Sequence, residues 1–192
     1  MADRRVGLWL VGACGGVGGT TALGLAALAR GLTPPTGLVT ALPQFAAVPF
    51  DPPAAFVVGG HDIRQTSLRR AVAEMHARAN VFSAPLLEAC GPQLDDWSAN
   101  VRPGVVFRPD PVTAALADRP DVRRAGTPRE AIERIRADLR QFRDAHKLDQ
   151  VVVANAASTE PPFPVGDEHR SLANLDAALD RAAPPALPTS SL

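Results

Sequence analysis

A short apolar run, Val6-Gly7-Leu8-Trp9-Leu10-Val11, opens into the glycine-dense stretch Gly12-Ala13-Cys14-Gly15-Gly16-Val17-Gly18-Gly19-Thr20-Thr21, and this junction restricts the fold more than any other feature. An unbroken apolar run of that length reads as a strand covered on both faces, central in a parallel sheet. Leu23, Ala26, Ala27 and Arg30 follow at helical spacing, with Gly31 as a stop and Pro34-Pro35 beyond it, so a helix is predicted over Thr20 to Arg30. Glycines between a strand and a helix let an anion approach the backbone, and the helix N-terminus supplies unpaired N–H groups. The natural use of the turn is to hold phosphate.

The remaining chain repeats the strand-helix alternation. Phe56-Val57-Val58 before Gly59-Gly60 reads as a second buried strand, and Leu68, Val72, Met75 and Ala79 mark one face of a following helix. Residues 83–104 mix helix formers with Pro85, Pro92 and Pro103, which predicts one or two short helices leading to Val105-Val106-Phe107. Thr127-Pro128-Arg129-Glu130 is a capping box with proline at the first helical position, and Ile132, Ile135, Leu139 and Phe142 form the stripe behind it. Val151-Val152-Val153 then reads as a third buried strand. Its end carries Asn155-Ala156-Ala157-Ser158-Thr159-Glu160, polar positions of the kind that face the ligand crevice of an α/β sheet. A last helix fits Ser171 to Ala182 through Leu172, Leu175 and Leu179, and Pro184-Pro185 opens a proline-rich end. The expected fold is α/β, a Rossmann-type NAD-binding fold with a mostly parallel sheet and flanking helices, and residues 1–183 are expected to form the binding domain.

Composition removes several classes. With 46% hydrophobic and 21% charged residues and zero formal net charge, neither nucleic acid nor an anionic membrane is an expected partner. Cys14 and Cys90 belong to no CxxC or Cys/His cluster, so no metal site is expected, and the default compartment is a reducing cytoplasm. Val11-Gly12-Ala13-Cys14 superficially resembles a lipoprotein cleavage site, but the apolar run before it is too short for a signal segment. There is no tyrosine, which rules out a short-chain dehydrogenase with its Tyr-xxx-Lys pair.

The glycine turn also resembles the GGVGKTT loop of partition-type P-loop ATPases. The lysine position of that loop holds Gly19, and Cys14 stands where a second lysine precedes the first glycine. Without either charge, backbone amides suit the diphosphate of a dinucleotide better than a triphosphate. A dinucleotide fold usually places an acid about 20 residues after the glycines to grip the adenosine ribose. No Asp or Glu lies between Asp3 and Asp51, and Asp62, after Gly59-Gly60-His61, is the first suitably placed carboxylate. The paired glycines there would let a ligand approach; the competing reading of Asp62 is a helix cap. His61 has no visible acid-base partner and is not expected to be catalytic.

Four ordered stretches, Gly15 to Thr21, Gly59-Gly60-His61-Asp62-Ile63, Arg102-Pro103-Gly104-Val105 and Val151 through Glu160, together resemble inositol-3-phosphate synthase, also called myo-inositol-1-phosphate synthase. The resemblance implies that Gly15, Gly16, Val17 and Gly18 bind the NAD phosphates in place of a GGNNGT-type loop, and that Asp62 matches the aspartate of a GGWDI motif. It puts further NAD contacts at Gly104 and Val105 and at Ala156, Ala157, Ser158 and Thr159. Val17, Gly18 and His61 depart from the family pattern, and closer approach at Gly16 and Gly19 would compensate. The implied activity converts D-glucose 6-phosphate to 1D-myo-inositol 3-phosphate by internal oxidation, aldol closure of an enolate and reduction. NAD is recycled, in the service of inositol and phospholipid synthesis by a cytoplasmic homo-oligomer. The family's lysines that stabilise enolate charge lie in its second half, whereas here Lys147 is the only lysine. The resemblance therefore implies catalytic residues beyond Leu192, in a longer enzyme of which this chain is an inactive fragment, incomplete at its C-terminus, with the proline-rich residues 184–192 beginning the second part. The alternatives are a non-catalytic NAD-binding domain and a degenerate P-loop ATPase.

Overall fold

The computed structural model describes residues 4–106, 111–119, 122–124, 126–157 and 165–181. The chain runs β1 (Val6–Val11), α1 (Gly16–Ala29), β2 (Phe56–Asp62), α2 (Leu68–Ala79), α3 (Ala84–Ser98), β3 (Val101–Pro103), β4 (Val105–Val106), α4 (Pro111–Leu116), β5 (Arg123–Arg124), α5 (Pro128–His146), β6 (Gln150–Asn155) and α6 (Leu172–Leu179). The main sheet has the order β3-β2-β1-β6, and each adjacent pair is parallel. β4 and β5 form a separate parallel pair.

This order is the first half of a doubly wound sheet. The chain steps outward from β1 to β2 and β3, then jumps back through α5 to lay β6 on the other side of β1. The reversal makes the carboxyl ends of β1 and β6 the switch point, where such sheets open a ligand crevice.

Strand periodicity sorts the core into two layers. Leu10, Val58 and Cys14 join Ala22, Leu23, Ala26 and Ala27 of α1, Leu68 and Val72 of α2, and Cys90, Leu94 and Trp97 of α3. On the other face Trp9 packs with Phe142 and Leu148 under α5. α1 buries mostly glycine and alanine, which lets the helix lie close against the strands.

Several expectations change. α1 begins at Gly16, four residues before Thr20, so the glycines make its first turn. Ser83 to Gly104 contains one helix, α3, that continues through Pro92, followed by β3. The last helix is shorter than expected, α6 ending at Leu179. β6 is not buried: Val152 and Val153 are 41% and 51% exposed, because β6 is the edge of this sheet. An apolar run alone cannot tell a covered strand from an edge whose cover comes from elsewhere. The Thr127 cap holds, its hydroxyl accepting the Glu130 N–H at 3.2 Å, but Glu130 reaches back to the N–H of Gly126 and not of Thr127. Among the described residues no helix is long and apolar enough to cross a membrane.

Candidate functional site

The β1-to-α1 corner is built around one carbonyl. The oxygen of His61, in β2, accepts the N–H of Gly12 at 2.9 Å and of Ala13 at 3.1 Å. Gly12 takes φ +80°, a left-handed conformation that favours glycine, and a Cβ there would press on the Ala156-Ala157 backbone at 3.1–3.3 Å. The next residue, Asp62, fixes the same turn from the opposite layer. Its Oδ2 accepts the Cys14 N–H at 2.7 Å and its Oδ1 the Arg64 N–H at 2.9 Å. Asp62 is therefore not a helix cap; Ser67 caps α2 by accepting from the Arg70 N–H.

The helix that starts at this corner differs from its neighbours. α2, α3, α5 and α6 each begin under a hydroxyl acceptor, Ser67, Ser83, Thr127 and Ser171. α1 begins on Gly15 with no side-chain cap and no acidic residue in its first turn. The amides of Gly16, Val17 and Gly18 stand at positions that lack an intrahelical acceptor. Gly16 has open space where a Cβ would be, and Val17 is 66% exposed. The opening thus carries about half a positive charge with no side chain to satisfy it, and anions favour such a place. The geometry suits a dinucleotide diphosphate.

The glycines do different work from one another. Gly18 is buried, and a Cβ there would lie 2.5 Å from the Gly12 oxygen and 2.6 Å from that of Ala13. Gly19 faces Val72 of α2 at 3.2 Å and not the crevice, so it cannot compensate for the missing asparagines, nor could its position direct a lysine at a triphosphate. The Gly59-Gly60 pair does not admit a ligand either. Trp9 and Phe142 occupy the space over Gly59, and the Leu10 carbonyl and Ala13 methyl that over Gly60.

The other candidates converge on the same end of the sheet. Ala156 continues β6 by donating its N–H to the Val11 oxygen at 2.9 Å, and the Ala157 N–H bonds the Asn155 side chain at 3.0 Å. Gly104 donates its N–H to the Asp62 oxygen at 2.9 Å, and Val105 is fully buried in β4, so only its backbone could meet a ligand. Ser158 and Thr159 lie outside the described residues, as does Phe107. Lys147 is at the far end: it caps α5 with φ +52°, a strand length of roughly 20 Å from the crevice.

Two features were not foreseen. His61 has partners on both nitrogens: Trp9 Nε1 donates to its Nδ1 at 3.0 Å, and its Nε2 lies 3.0 Å from Asp138 Oδ2, all three residues being buried. An indole only donates, so Nδ1 accepts and the proton sits on Nε2, pointing at the carboxylate. The readable signal was an acid, Asp138, inside the apolar stripe of α5. The second feature is Arg64, whose Nη1 reaches the Cys14 carbonyl at 3.4 Å while Nη2 pairs with Glu74 at 3.1 Å. Cys14 itself is inert, because burial, reinforced by the Asp62 charge, pushes its thiol up to about 12.

Comparison with known proteins gives one result throughout. A family model of NAD-binding domains, described as myo-inositol-1-phosphate synthase, matches residues 6–192. The inositol-3-phosphate synthase of Dictyostelium discoideum is 31% identical, over 93% of this chain and 39% of its own length. Inositol-3-phosphate synthase 1 of Bacteroides thetaiotaomicron is 29% identical, over 93% of this chain and 42% of its own. The crystal structure of the Caenorhabditis elegans inositol-3-phosphate synthase superposes with a TM-score of 0.73 at 23% identity, covering 95% of this chain and 40% of that one, a likeness of fold. The chain thus spans about two fifths of the length of the relatives it matches.

Proposed function

Since this chain belongs to the myo-inositol-1-phosphate synthase family, we propose that it binds NAD at the β1-α1 corner and serves an enzyme that isomerises D-glucose 6-phosphate to 1D-myo-inositol 3-phosphate. The observation that carries the reading is the uncapped first turn of α1, set at the switch point of a parallel sheet, where every other described helix of eight or more residues has a hydroxyl cap. The amides of Gly16, Val17 and Gly18 would hold the diphosphate, with open space beside Gly16, and Gly12 and Gly15 would shape the turn that leads to them. Asp62 would shape the ribose end by fixing Cys14, with Gly104 and Val105 lining it through their backbone. Ala156, Ala157, Ser158 and Thr159 would flank the nicotinamide end.

When bound, NAD supplies hydride exchange with the sugar phosphate. This chain's own share is binding and orientation: the turn that leads into the Gly16, Val17 and Gly18 amides is already held by the His61 carbonyl and the Asp62 carboxylate, so it needs no rearrangement when the anion arrives. The positive groups for enolate chemistry are assigned to sequence after Leu192, with residues 1–183 as the binding domain, 184–192 as the start of the catalytic part, and a cytoplasmic homo-oligomer as the working form.

The test is a calorimetric titration with NAD⁺ of the wild type and of Val17→Asp. A carboxylate at the second position of α1 favours the helix by about 0.3–1 kcal/mol, so the variant keeps its melting temperature while competing for the same amides. Saturable binding that weakens at least tenfold in the variant supports the site, and equal affinity in both proteins sinks it. In the protein extended past Leu192, glucose 6-phosphate must yield inositol phosphate. NAD⁺ binding without that product would leave a binding domain alone.

A further inference from the structure

The adenosine end of the crevice is more basic than a plain NAD site requires. In doubly wound folds the carboxyl end of the strand after the glycine turn meets the adenosine ribose, where an acid suits the bare 2′-hydroxyl and a nearby arginine a 2′-phosphate. Here that end is β2, and the acid, Asp62, is only 6% exposed, with each carboxylate oxygen already accepting a main-chain N–H, from Cys14 and from Arg64. The carboxylate is turned into the protein.

What the corner presents instead is guanidinium. Arg64 comes two residues after the strand ends; its side chain is one-third exposed, and its Nη1 lies against the Cys14 carbonyl at the edge of the glycine turn. The Arg119 main chain is tied to the same place, its N–H donating to the Ile63 oxygen at 3.2 Å, and the charges of both arginines reach Cys14. Among the described residues, the acids placed there are already engaged. Glu74 is shared between Arg64 and Arg70, and Asp118 Oδ1 accepts the Gln65 N–H at 2.7 Å. Arg64 uses two of its five N–H donors in these contacts, and a planar fork of that kind matches a phosphate's oxygens.

We infer that Arg64, beside the inward-turned Asp62, admits a ribose 2′-phosphate at this corner, so that the crevice takes NADP as well as NAD. The inference rests on the dinucleotide reading of the glycine corner and deepens it by naming the cofactor class. Arg64 is the specificity-determining residue.

The full chain is titrated by calorimetry with NAD⁺ and with NADP⁺, as wild type, Arg64→Ala and Arg64→Lys, with circular dichroism melts confirming that each variant folds. The expected wild-type result is an NADP⁺ dissociation constant within about tenfold of that for NAD⁺. Arg64→Ala should then weaken NADP⁺ at least tenfold more than NAD⁺, with Arg64→Lys intermediate, since it keeps charge and loses the fork. NADP⁺ affinity should also fall more steeply with added salt. NAD⁺ binding with NADP⁺ more than tenfold weaker, or equal losses for both dinucleotides in Arg64→Ala, overturns the inference and leaves the NAD reading standing. Absence of binding by either dinucleotide overturns both.

Discussion

His61 and Asp62 are neighbours in the chain, yet their side chains enter opposite layers of the molecule, and the two layers are held in different ways. Asp62 points toward α1, α2 and α3, a layer of closely packed small and aliphatic side chains in which two main-chain N–H groups satisfy the carboxylate. His61 points toward α5, where few residues are buried and the helix is joined to the sheet by Trp9, Phe142 and an imidazole–carboxylate pair. In the first layer the burial is spread over many small and aliphatic side chains; in the second it is concentrated in a few large ones. The glycine corner sits between them, because His61 holds it by its carbonyl and Asp62 by its side chain.

The difference is tested most strongly at Trp9. Trp9→Ala removes a fully buried indole and strips Nδ1 of His61 of its donor, and should cost about 3–5 kcal/mol in urea unfolding. Trp9→Phe keeps much of the bulk and loses the hydrogen bond, so its cost should be clearly smaller. If both lose the same amount, the polar link rather than the packing dominates that layer.

At the glycine corner the close contacts are main-chain carbonyls, and added volume does the damage. Gly18→Ala forces a methyl against the Gly12 and Ala13 carbonyls and should cost about 1–3 kcal/mol. Gly16→Ala meets nothing within 4 Å and should not lower stability. Thermal melts of the pair would break the distinction if they shifted alike. The same pair explains what the sequence could and could not reveal. The turn, its helix and the alternation of strands and helices were legible, because glycine density and apolar runs are local signals. Which glycine faces a ligand and which faces protein was not: Gly16, Gly18, Gly19, Gly59 and Gly60 look alike in sequence, and only the register of β1 on β2 and the tilt of α1 separate them.

A third measurement concerns Asp138. Asp138→Ala removes the carboxylate that the buried Nε2 of His61 meets and should cost about 1–3 kcal/mol, while Asp138→Asn retains an oxygen acceptor and should cost less. Equal losses would mean that the carboxylate's charge, not its acceptor, is what α5 supplies. His61 was read as partnerless because its partners lie 52 residues before it and 77 after it. Asp138 was hidden by a stripe drawn through Ile132, Ile135, Leu139 and Phe142, whereas the buried line of α5 runs through Ala131, Asp138 and Phe142. A carboxylate on that line was the available clue. The edge character of β6 had no such clue, since Val151-Val152-Val153 is as apolar as a central strand and only strand order leaves it uncovered.

At neutral pH the smallest effect belongs to Cys14, at the junction of the two layers. Its thiol ionises near 9 in the unfolded chain and is pushed up to about 12 in the folded one, so the native state holds the proton more tightly. Below pH 9 both states are protonated and the residue contributes no slope. Between about pH 9 and 12 the unfolded chain releases the proton while the native state keeps it, and stability falls with pH, at most by about 1.4 kcal/mol per unit. Cys14→Ala removes that ionisation, so the alkaline fall in unfolding free energy should be shallower in the variant than in the wild type, with the two curves parallel below pH 8. Parallel curves above pH 9 would mean that the thiol is solvated in the native state, and that the Asp62 carboxylate holds a looser corner than its 2.7 Å bond to the Cys14 amide implies.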